Sequence, residues 1–506
     1  MSVKIFSAAA VGLDAKIVEV EADVYRGLIK MHIVGLPDAA VQEARQRVRS
    51  SIKNSGFDFP PGTITVNLAP AHLKKEGPRY DLPIAIAILM ARGEIITAKG
   101  VDDKIFIGEL SLNGSLRPVS GILSVVIMAK KQGLKEIYLP AKNASEAALV
   151  KGINIYPVEN LLQVTEHLTG RCDINRFKSK KIKKSKSKGS VNDMSYVRGQ
   201  EQAKRALEIA AAGGHNVLLT GPPGSGKTLL ARTMATILPS MTNEESLEVT
   251  KIYSVVGSLI NDTPMMTVRP FRSPHHTTSS VALVGGGSFP KPGEISMAHR
   301  GVLFLDEFSE FSRQALESLR QPLEDGTITV ARAAGAVSFP AQFTLIAARN
   351  PCPCGYLNDP RQPCSCLPNQ IIKYQKRISG PLLDRIDIHI NVPRLEYEKV
   401  ASTEQAEPSA SICQRVTRAR HIQTKRYKDL LIKVNAEMGV RYIDKFCQVE
   451  QPARELIKQA VNQFYLSARA YHRILKVART IADLEGLESI TADHVAEGLR
   501  YRPQGD

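Results

Sequence analysis

The sequence has no apolar run long enough to cross a membrane. The longest such run, Leu82 to Met90, falls well short of the roughly 20 residues that a transmembrane helix needs. The opening residues M-S-V-K-I-F-S also lack a charged leader followed by an apolar stretch, so we expect no secretory signal. These absences disfavour a membrane-spanning or secreted class, and we expect a cytoplasmic protein without a membrane partner.

Cysteine is scarce, and most of it is crowded into one place. The chain of 506 residues has seven cysteines, an odd number, and four of them lie between Cys352 and Cys366. In a cytosolic chain such a cluster indicates metal or redox chemistry rather than a disulfide framework. Charged residues make up 23% and hydrophobic residues 43% of the chain, which excludes disorder over its whole length.

Acidic residues are outnumbered by basic ones, with 50 Asp and Glu against 67 Lys and Arg and a formal charge of +17. This surplus favours anionic partners, and nucleic acid is the first candidate. Seven of the lysines lie between Lys178 and Lys188, which weakens the argument for the surface as a whole. The Lys- and Ser-rich stretch 177–190 predicts a flexible linker, or a segment that touches phosphates.

The linker divides the chain into parts with different patterns, and the length predicts about three domains. Residues 1–176 mix strand patterns with a helix over Leu82–Ala91, which predicts an α+β or α/β domain. Strands alternate with helices in 191–395, which predicts a parallel sheet, and 396–506 is predicted as a helical lid and C-terminal subdomain. The predicted strands are Thr63–Leu68, Lys104–Leu110, Ile137–Leu139, Asn216–Thr220, Val302–Leu305 and Phe343–Ala347.

A phosphate-binding loop follows the strand that ends at Thr220. Its sequence G-P-P-G-S-G-K-T matches the pattern G-x-x-x-x-G-K-[ST], in which backbone N–H groups surround phosphate oxygens. Lys227 is predicted to reach the β- and γ-phosphates and Thr228 to bind Mg²⁺. The positive N-terminus of the following helix adds to this site. The predicted nucleotide-binding residues are Gly221, Pro222, Pro223, Gly224, Ser225, Gly226, Lys227, Thr228 and Leu229.

A second motif, G-V-L-F-L-D-E-F, places two carboxylates at the end of a buried strand. Asp306 is predicted to hold the magnesium hydration shell, and Glu307 to orient the attacking water. A gap of 78 residues separates Thr228 from Asp306, which predicts an insertion. His275 and His276 in that insertion are either metal ligands or, more commonly for adjacent loop histidines, polar surface.

The four-cysteine loop has the spacing C-x-C-x₉-C-x-C. Four thiolates can complete a closed tetrahedral zinc site of the structural kind, and a metal would order a loop with little apolar content. Reduced thiols and a redox pair are the alternatives. The predicted zinc ligands are Cys352, Cys354, Cys364 and Cys366.

Together with the phosphate loop, the phrase P-G-E-I-S-M-A-H-R-G-V-L-F-L-D-E-F resembles the magnesium chelatase-like branch of the AAA+ ATPases. Within that branch the chain is similar to the YifB/ComM group along almost its whole length. The resemblance implies an AAA+ P-loop NTPase core with a helical lid, ATP and Mg²⁺ as cofactors, and a homo-oligomer in the form of a hexameric ring.

The resemblance also implies roles for further residues. Val197, Gly199 and Gln200 would lie near the adenine, and Asn350 would be the first sensor of the γ-phosphate. Arg385 would be an arginine finger, with an ordinary salt bridge to Asp384 or Asp387 as the alternative. Arg469 would be the second sensor, and Arg473 is a weaker candidate for that role. Since the cysteine loop starts two residues after Asn350, its metal or redox state could influence the ATPase geometry.

The N-terminal part resembles the Lon protease domain, which implies an α+β fold of the ribosomal S5 domain 2-like type. The segments Asn67–Ala85 and Gly108–Leu123 carry this likeness. Arg79 stands where Lon has its nucleophilic serine, and Leu123 stands where Lon has its lysine. Ser–Lys catalysis needs both groups, so peptidase activity is not expected.

Two places are candidates for nucleic-acid contact. Gly326–Pro340 predicts a β-hairpin, which in related AAA+ helicases points into the ring pore, and Arg332 near its tip would meet a phosphate or be a solvated arginine. The helix Ile412–Arg426 carries arginines that form either a nucleic-acid face or a charged exterior. No aromatic stacking platform is visible, so base-specific recognition is not supported.

The resemblance implies a DNA helicase or translocase, driven by ATP, that promotes branch migration in recombination or natural transformation. The alternative is a chelatase-type motor that remodels a protein or a metal-insertion complex.

Overall fold

The computed structural model describes residues 3–97, 100–178, 192–259, 264–287, 290–332, 335–395 and 406–503. The chain divides into two compact units. Met1–Lys184 and Ser246–Met266 form the first, and Ser185–Glu245 and Thr267–Asp506 form the second. Most of the predicted linker, from 179 onward, and the predicted start of the lid at 396 lie outside the described residues.

The first part of the chain alternates strands with helices. Its strands are β1 (Val3–Val11), β2 (Asp14–Tyr25), β3 (Lys30–Val34), β4 (Thr63–Ala69), β5 (Lys104–Phe106), β6 (Glu109–Leu110), β7 (Leu116–Arg117), β8 (Glu136–Pro140) and β9 (Asn154–Val158). Its helices are α1 (Ala39–Asn54), α2 (Asp81–Arg92), α3 (Ile122–Lys131), α4 (Ala144–Ala147) and α5 (Leu161–Leu168).

Within the described residues, seven of these strands form one mixed sheet in the order β3-β4-β2-β1-β5-β8-β9. The central pairs β1–β2 and β2–β4 are antiparallel, and the pairs toward both edges are parallel. Alternating residues of β2 face opposite sides, because successive side chains of a strand point to opposite faces. Val18 and Val20 enter one hydrophobic cluster with α1 and α2, whereas Ile17 packs against a second cluster with α3.

The prediction of one continuous strand over Lys104–Leu110 is wrong. β5 and β6 are separate, and β6 pairs with β7 in a small antiparallel hairpin apart from the main sheet. The interruption at Ile107–Gly108 has a physical reason in the hydrogen bonding. The N–H of Ile107 bonds to the carbonyl of Tyr138, and the N–H of Gly108 bonds to the carbonyl of Arg79, outside the sheet. The helix predicted over Leu82–Ala91 is confirmed as α2.

The second part of the chain is a parallel α/β core followed by helices. Its strands are β10 (Val217–Thr220), β11 (Phe271–Arg272), β12 (Gly285–Gly286), β13 (Lys291–Pro292), β14 (Val302–Leu305), β15 (Thr327–Arg332), β16 (Gly335–Pro340), β17 (Thr344–Arg349) and β18 (Ile388–Asn391). The helices up to β18 are α6 (Glu201–Gly213), α7 (Lys227–Ile237), α8 (Asn243–Val256), α9 (Ser280–Val284), α10 (Glu294–Met297), α11 (Arg313–Glu317), α12 (Arg320–Asp325), α13 (Pro368–Gln375) and α14 (Gly380–Leu383). The helices after it are α15 (Ser409–Arg426), α16 (Val440–Phe446), α17 (Gln451–Phe464), α18 (Ala468–Glu485) and α19 (Ala492–Arg500).

Five strands of this part form a sheet in the order β11-β14-β17-β10-β18 within the described chain, and every neighbouring pair is parallel. The predicted parallel sheet is therefore confirmed. Because parallel strands end at the same edge, the loops after β10, β14 and β17 meet there. Among the described residues, no helix combines the length and the apolar character that crossing a membrane requires.

The predicted insertion contributes a helix to the first unit. From Ser246 onward, α8 belongs to that unit, and the carbonyl of Ser254 accepts a bond of 2.9 Å from the N–H of Gly121. The Ser254 hydroxyl donates to the buried carboxylate of Glu146, which also accepts from the N–H of Leu123 at 3.0 Å. Burial raises the pKa of Glu146. The N-terminus of α3 is thus held by a helix from the middle of the chain.

Candidate nucleotide-binding site

The phosphate loop lies between β10 and α7, at the carboxyl edge of the parallel sheet. Gly224 and Gly226 have φ values of 75° and 88°, a left-handed conformation that glycine adopts without strain. Lys227 begins α7, and its buried ammonium donates to the carbonyls of Gly221 at 2.7 Å and Pro222 at 2.8 Å. Burial lowers the pKa of Lys227, an effect that the negative charge of Asp306 opposes. The loop thus holds a positive charge at the helix N-terminus, where phosphate groups bind.

The acidic motif meets the phosphate loop directly. Asp306 follows β14, and its carboxylate accepts from the Thr228 hydroxyl at 2.8 Å and from the N–H of Glu307 at 3.0 Å. A hydroxyl and a carboxylate are oxygen ligands of the kind that Mg²⁺ prefers, usually with waters in the other positions. These two side chains therefore suit a magnesium ion that also binds a phosphate chain.

Asn350 completes the group of polar side chains at this edge. It follows β17, the strand between β14 and β10, and its side-chain oxygen accepts from Lys227 Nζ at 3.3 Å. The strand order accounts for the convergence, because three neighbouring parallel strands deliver Asn350, Asp306 and the phosphate loop to one place. The structure thus brings together residues that lie 123 positions apart in the chain.

His276 contacts the second carboxylate of the acidic motif. Its Nδ1 lies 2.9 Å from Glu307 Oε2, and its ring lies 4.1 Å from that of His275. Neither sequence interpretation of this histidine pair, metal ligands or plain polar surface, anticipated the contact. The only available signal was the pair's place in a long insertion between the two nucleotide motifs.

If Glu307 orients the attacking water, as its motif predicts, we expect His276→Ala to raise basal ATP hydrolysis, because the substitution frees the Glu307 carboxylate. The contact between His276 and Glu307 is partly exposed, so we expect it to stabilise the resting carboxylate by up to about 1 kcal/mol. Losing it corresponds to a rate increase of up to about fivefold. A steady-state phosphate-release assay measures the change. His421→Ala, which removes an exposed histidine of the second unit, is the control. A rate below that of the unsubstituted chain would mean that His276 holds Glu307 in its working position.

The residues implied near the adenine lie beside the end of β18. The backbone of Gly221 packs so closely on the carbonyl of Val392 that a Cβ there would come within 2.2 Å. Gln200 donates to the carbonyl of Pro393 at 2.7 Å, and both Gly199 and Gln200 have a left-handed backbone. Val197 is buried just before them. Residues Val392 and Pro393, just after β18, therefore contact both the segment 197–200 and the first residue of the phosphate loop.

Arg385 and Arg469 line one cleft of about 680 Å³ in the second unit. Among the described residues that line this cleft, none belongs to the phosphate loop, 221–228.

Arg385 pairs with Glu324, whose pKa it lowers, and donates to the carbonyl of Pro381 at 2.7 Å. The alternative predicted from the sequence was a salt bridge from Arg385 to Asp384 or Asp387, and this prediction is wrong. Asp387 pairs with His215, and Asp384 lies 3.8 Å from Arg473.

Arg473 differs from Arg469 in its surroundings. It is buried, and its guanidinium donates to the carbonyl of Ile386 at 2.8 Å, in the turn that carries Arg385. Arg469, one turn earlier on α18, is exposed. Arg473 thus supports the backbone next to Arg385, whereas Arg469 remains accessible to a ligand.

The sulfur atoms of the four clustered cysteines converge within 4.8 Å of one another. Cys352 Sγ lies 3.4 Å from Cys354 Sγ and 3.7 Å from Cys364 Sγ, and the N–H of Cys354 points to Cys366 Sγ at 3.4 Å. Ligands at about 2.3 Å from a tetrahedral zinc ion lie about 3.8 Å apart, so the spacing fits this metal. The backbone N–H of Tyr356 helps to lower the pKa of Cys354 to about 6, and burial raises that of Cys352.

Comparison with known proteins identifies the family. Models of the magnesium chelatase subunit ChlI match residues 193–400 and 20–143, and a model of its C-terminal part matches 406–502. The chain is 43% identical to the competence protein ComM of Haemophilus influenzae, over 98% of this chain and 97% of that protein. The chain belongs to the ComM/YifB family of magnesium chelatase-like proteins. It is also 44% identical to the YifB protein of Escherichia coli, over 98% of this chain and 96% of the relative.

The likeness of this ComM/YifB family member to Lon is partial. An archaeal Lon protease of Methanothermobacter thermautotrophicus is 30% identical over 132 residues, which are 25% of this chain and 20% of that protein. At the two positions compared with the Lon dyad, Leu123 is fully buried, and the carbonyl of Arg79 accepts from Gly108.

The predicted hairpin is present in this ComM/YifB chain. β15 and β16 pair in antiparallel register from Thr327 with Pro340 to Arg332 with Gly335. Arg332 therefore ends the first strand, next to the tip. Its side chain lies outside the part of the molecule that the structure describes.

The arginines of α15 do not form the charged face expected from the sequence. Arg420 is half-buried and donates to the carbonyl of Ala211, and burial lowers its pKa to about 10. Arg415 pairs with Glu208 at 2.5 Å, and Arg426 pairs with Asp483 at 2.5 Å. Arg418 is the exposed one of the four. Internal acceptors therefore take up most of this charge.

Proposed function

We propose that the chain is an ATP-hydrolysing AAA+ motor. The observation that carries this proposal is the convergence of Lys227, Thr228, Asp306 and Asn350 at one edge of the parallel sheet. Lys227 binds the β- and γ-phosphates, and Val197, Gly199 and Gln200 lie against the base. Thr228 and Asp306 hold Mg²⁺, which neutralises phosphate charge when it is bound.

In this proposal the hydrolytic step needs a positioned water. Glu307 accepts a hydrogen bond from that water and takes its proton as the oxygen attacks the γ-phosphorus. The bond from the γ-phosphorus to the β–γ bridging oxygen breaks, and ADP and phosphate are the products. Asn350 donates its amide N–H to the γ-phosphate or the water, and its oxygen remains bonded to Lys227. The contact of His276 with Glu307 is a natural point of control over this step.

We propose further that the working form is a homo-oligomer, in the arrangement of a hexameric ring. Arg385 and Arg469 line a cleft that the phosphate loop of the same chain does not enter. Both guanidinium groups therefore lie away from the phosphate loop of their own chain. A nucleotide held by a neighbouring copy would replace Glu324 as the partner of Arg385, and a fixed guanidinium would then stabilise negative charge on the γ-phosphate. Mass photometry with and without ATP measures the number of copies.

The proposed substrate is DNA, single-stranded or branched, and the proposed task is branch migration during recombination or natural transformation in the cytosol. The name of the Haemophilus relative, a competence protein, supports this task, and so do the charge of +17 and the β15–β16 hairpin. Phosphate contacts would be made chiefly by basic groups and would weaken as salt rises.

The experiment is the ATPase rate with single-stranded, duplex and branched DNA over a salt series. We expect stimulation that fades with salt, because phosphate binding releases counterions. Arg332→Ala is expected to reduce the stimulation without lowering the basal rate. Arg313→Ala, which removes an exposed arginine from α11, is the matched control.

A second candidate is a chelatase-type motor that remodels a protein or a metal-insertion complex. The matching family models, which are named for the ChlI subunit of magnesium chelatase, favour it. A basal rate indifferent to every DNA would support this candidate over the helicase.

The first unit is proposed to be a Lon-like domain without peptidase activity. Arg79 and Leu123 supply neither the hydroxyl nor the amine that a Ser–Lys dyad needs. A casein digest by the purified chain checks this proposal, and cleavage would contradict it.

The cofactor proposal includes a structural zinc ion. Four thiolates at tetrahedral separations leave no open position, so Cys352, Cys354, Cys364 and Cys366 would hold the ion without exposing it to substrate. Metal analysis of the purified full chain tests it.

A further inference from the structure

We infer that the four-cysteine site braces the phosphate loop, so that metal binding at the cysteines controls nucleotide binding. This inference rests on the proposed nucleotide site. It assigns to the metal site a regulatory role that is separate from catalysis.

The first observation is a close approach between the cysteine loop and the phosphate loop. Gly355 lies directly after Cys354, and a Cβ built on it would lie 2.5 Å from Cδ and 2.8 Å from Cγ of Pro223. The same atom would lie 3.8 Å from Asn350 Cγ. The backbone of Gly355 therefore packs directly against the Pro223 ring. It also lies near the side chain of Asn350, which contacts Lys227.

The second observation is the way in which the turn is held. Cys352 is fully buried and follows Asn350 by two residues, and Gly355 closes the turn with a bond of 3.0 Å to the carbonyl of Cys352. The outer half of the site, Cys364 and Cys366, joins this turn through sulfur contacts.

Residues 358–363, which lead to the second half of the site, are mostly exposed and contribute little packing. A metal that binds all four sulfur atoms would lock the two halves together and fix the turn in place. A disulfide does not account for the arrangement, because the sulfur atoms are 3.4–3.7 Å apart, well beyond the roughly 2.05 Å of an S–S bond.

The consequence concerns the shape of the phosphate loop. Backbone N–H groups bind phosphate only when the loop is held in one conformation, and Pro223 is an exposed residue of that loop. Loss of the metal frees the turn that packs on Pro223. Since losing one hydrogen bond to a charged phosphate costs about tenfold or more in affinity, we expect a loss of about tenfold or more in nucleotide affinity.

The experiment uses the full chain and measures two quantities, zinc content by plasma mass spectrometry and the affinity for a fluorescent ATP analogue. The double variant Cys364→Ser, Cys366→Ser is expected to lose the zinc and to bind the ATP analogue about tenfold more weakly. Gly355→Ala is expected to keep the zinc and still lose affinity, because its Cβ would overlap Pro223 and because alanine is strained at the φ of 87° found here. Cys172→Ser and Cys413→Ser, outside the cluster, are the matched controls and change neither quantity.

A chelator series on the unsubstituted chain repeats the test without a mutation, and zinc added back is expected to restore the affinity. Zinc-free protein with unchanged affinity would overturn the inference, and so would a chain that binds no metal. Lys227→Ala distinguishes it from the proposed function, since this variant should keep its zinc and lose nucleotide binding. A zinc-loaded chain that binds no nucleotide would instead contradict the proposed nucleotide site.

Discussion

Glu307→Gln is expected to bind ATP as tightly as the unsubstituted chain and to hydrolyse it about 10²–10³-fold more slowly. The substitution keeps the size of the side chain and removes the group that accepts the proton of water. Lys227, Thr228 and Asp306, which contact the phosphates and the magnesium in the proposed site, are untouched. Steady-state phosphate release measures the rate, and titration with a fluorescent ATP analogue measures the affinity.

Glu310→Gln is the control for this variant. Glu310 lies three residues further on, is exposed, and pairs with Arg377 on the surface, so its loss should leave hydrolysis unchanged. A Glu307→Gln chain with the normal rate would show that the base lies elsewhere. A variant that has lost ATP binding as well would mean that Glu307 helps to hold the nucleotide.

Arg385→Ala is expected to lower the ATPase rate about 10³-fold, the usual contribution of an arginine finger to phosphoryl transfer. Arg469→Ala should act in the same direction, because the two side chains line the same cleft and both lower the pKa of Glu324. Arg377→Ala removes an exposed arginine of the same part of the chain and serves as the control.

Mixing the inactive chains tests where Arg385 acts. Arg385→Ala keeps an intact phosphate loop, and Lys227→Ala keeps an intact Arg385. If the arginine reaches the nucleotide of a neighbouring copy, a mixture of the two chains should regain part of the activity that neither has alone. The same test applies to Arg469→Ala. A mixture as inactive as its components would place both arginines at the nucleotide of their own chain, or outside the reaction.

Contiguous motifs were the part of this protein most open to prediction from sequence. The loop G-P-P-G-S-G-K-T after an apolar strand predicted the turn and the helix after it, although α7 begins at Lys227 and not at Leu229. The strand ending at Leu305 was predicted to the residue. A strand, a tight turn and the start of a helix each depend on the types of residues within a short stretch of sequence, so a local pattern is enough to predict them. The pairing of β15 with β16 was predictable for the same reason.

Ion pairs were the part least open to prediction. Arg385 has two acidic neighbours in sequence, and it pairs with Glu324, 61 residues away. The arginines of α15 were expected on the surface, and three of them pair or bond inside the second unit. A sequence pattern gives the face of a helix on which a charge lies, and it does not give what packs against that face.

The sequence by itself determined that a phosphate loop, an acidic strand end and a four-cysteine loop exist, because the residue types and their local spacing define each of them. Only the tertiary structure decided which of these touch. It placed His276 on Glu307, the turn at Gly355 on Pro223, and Ser254 of the insertion on buried Glu146. The physical reason is that these contacts join distant segments, and they form only when the strand order and the packing of both units bring the segments together.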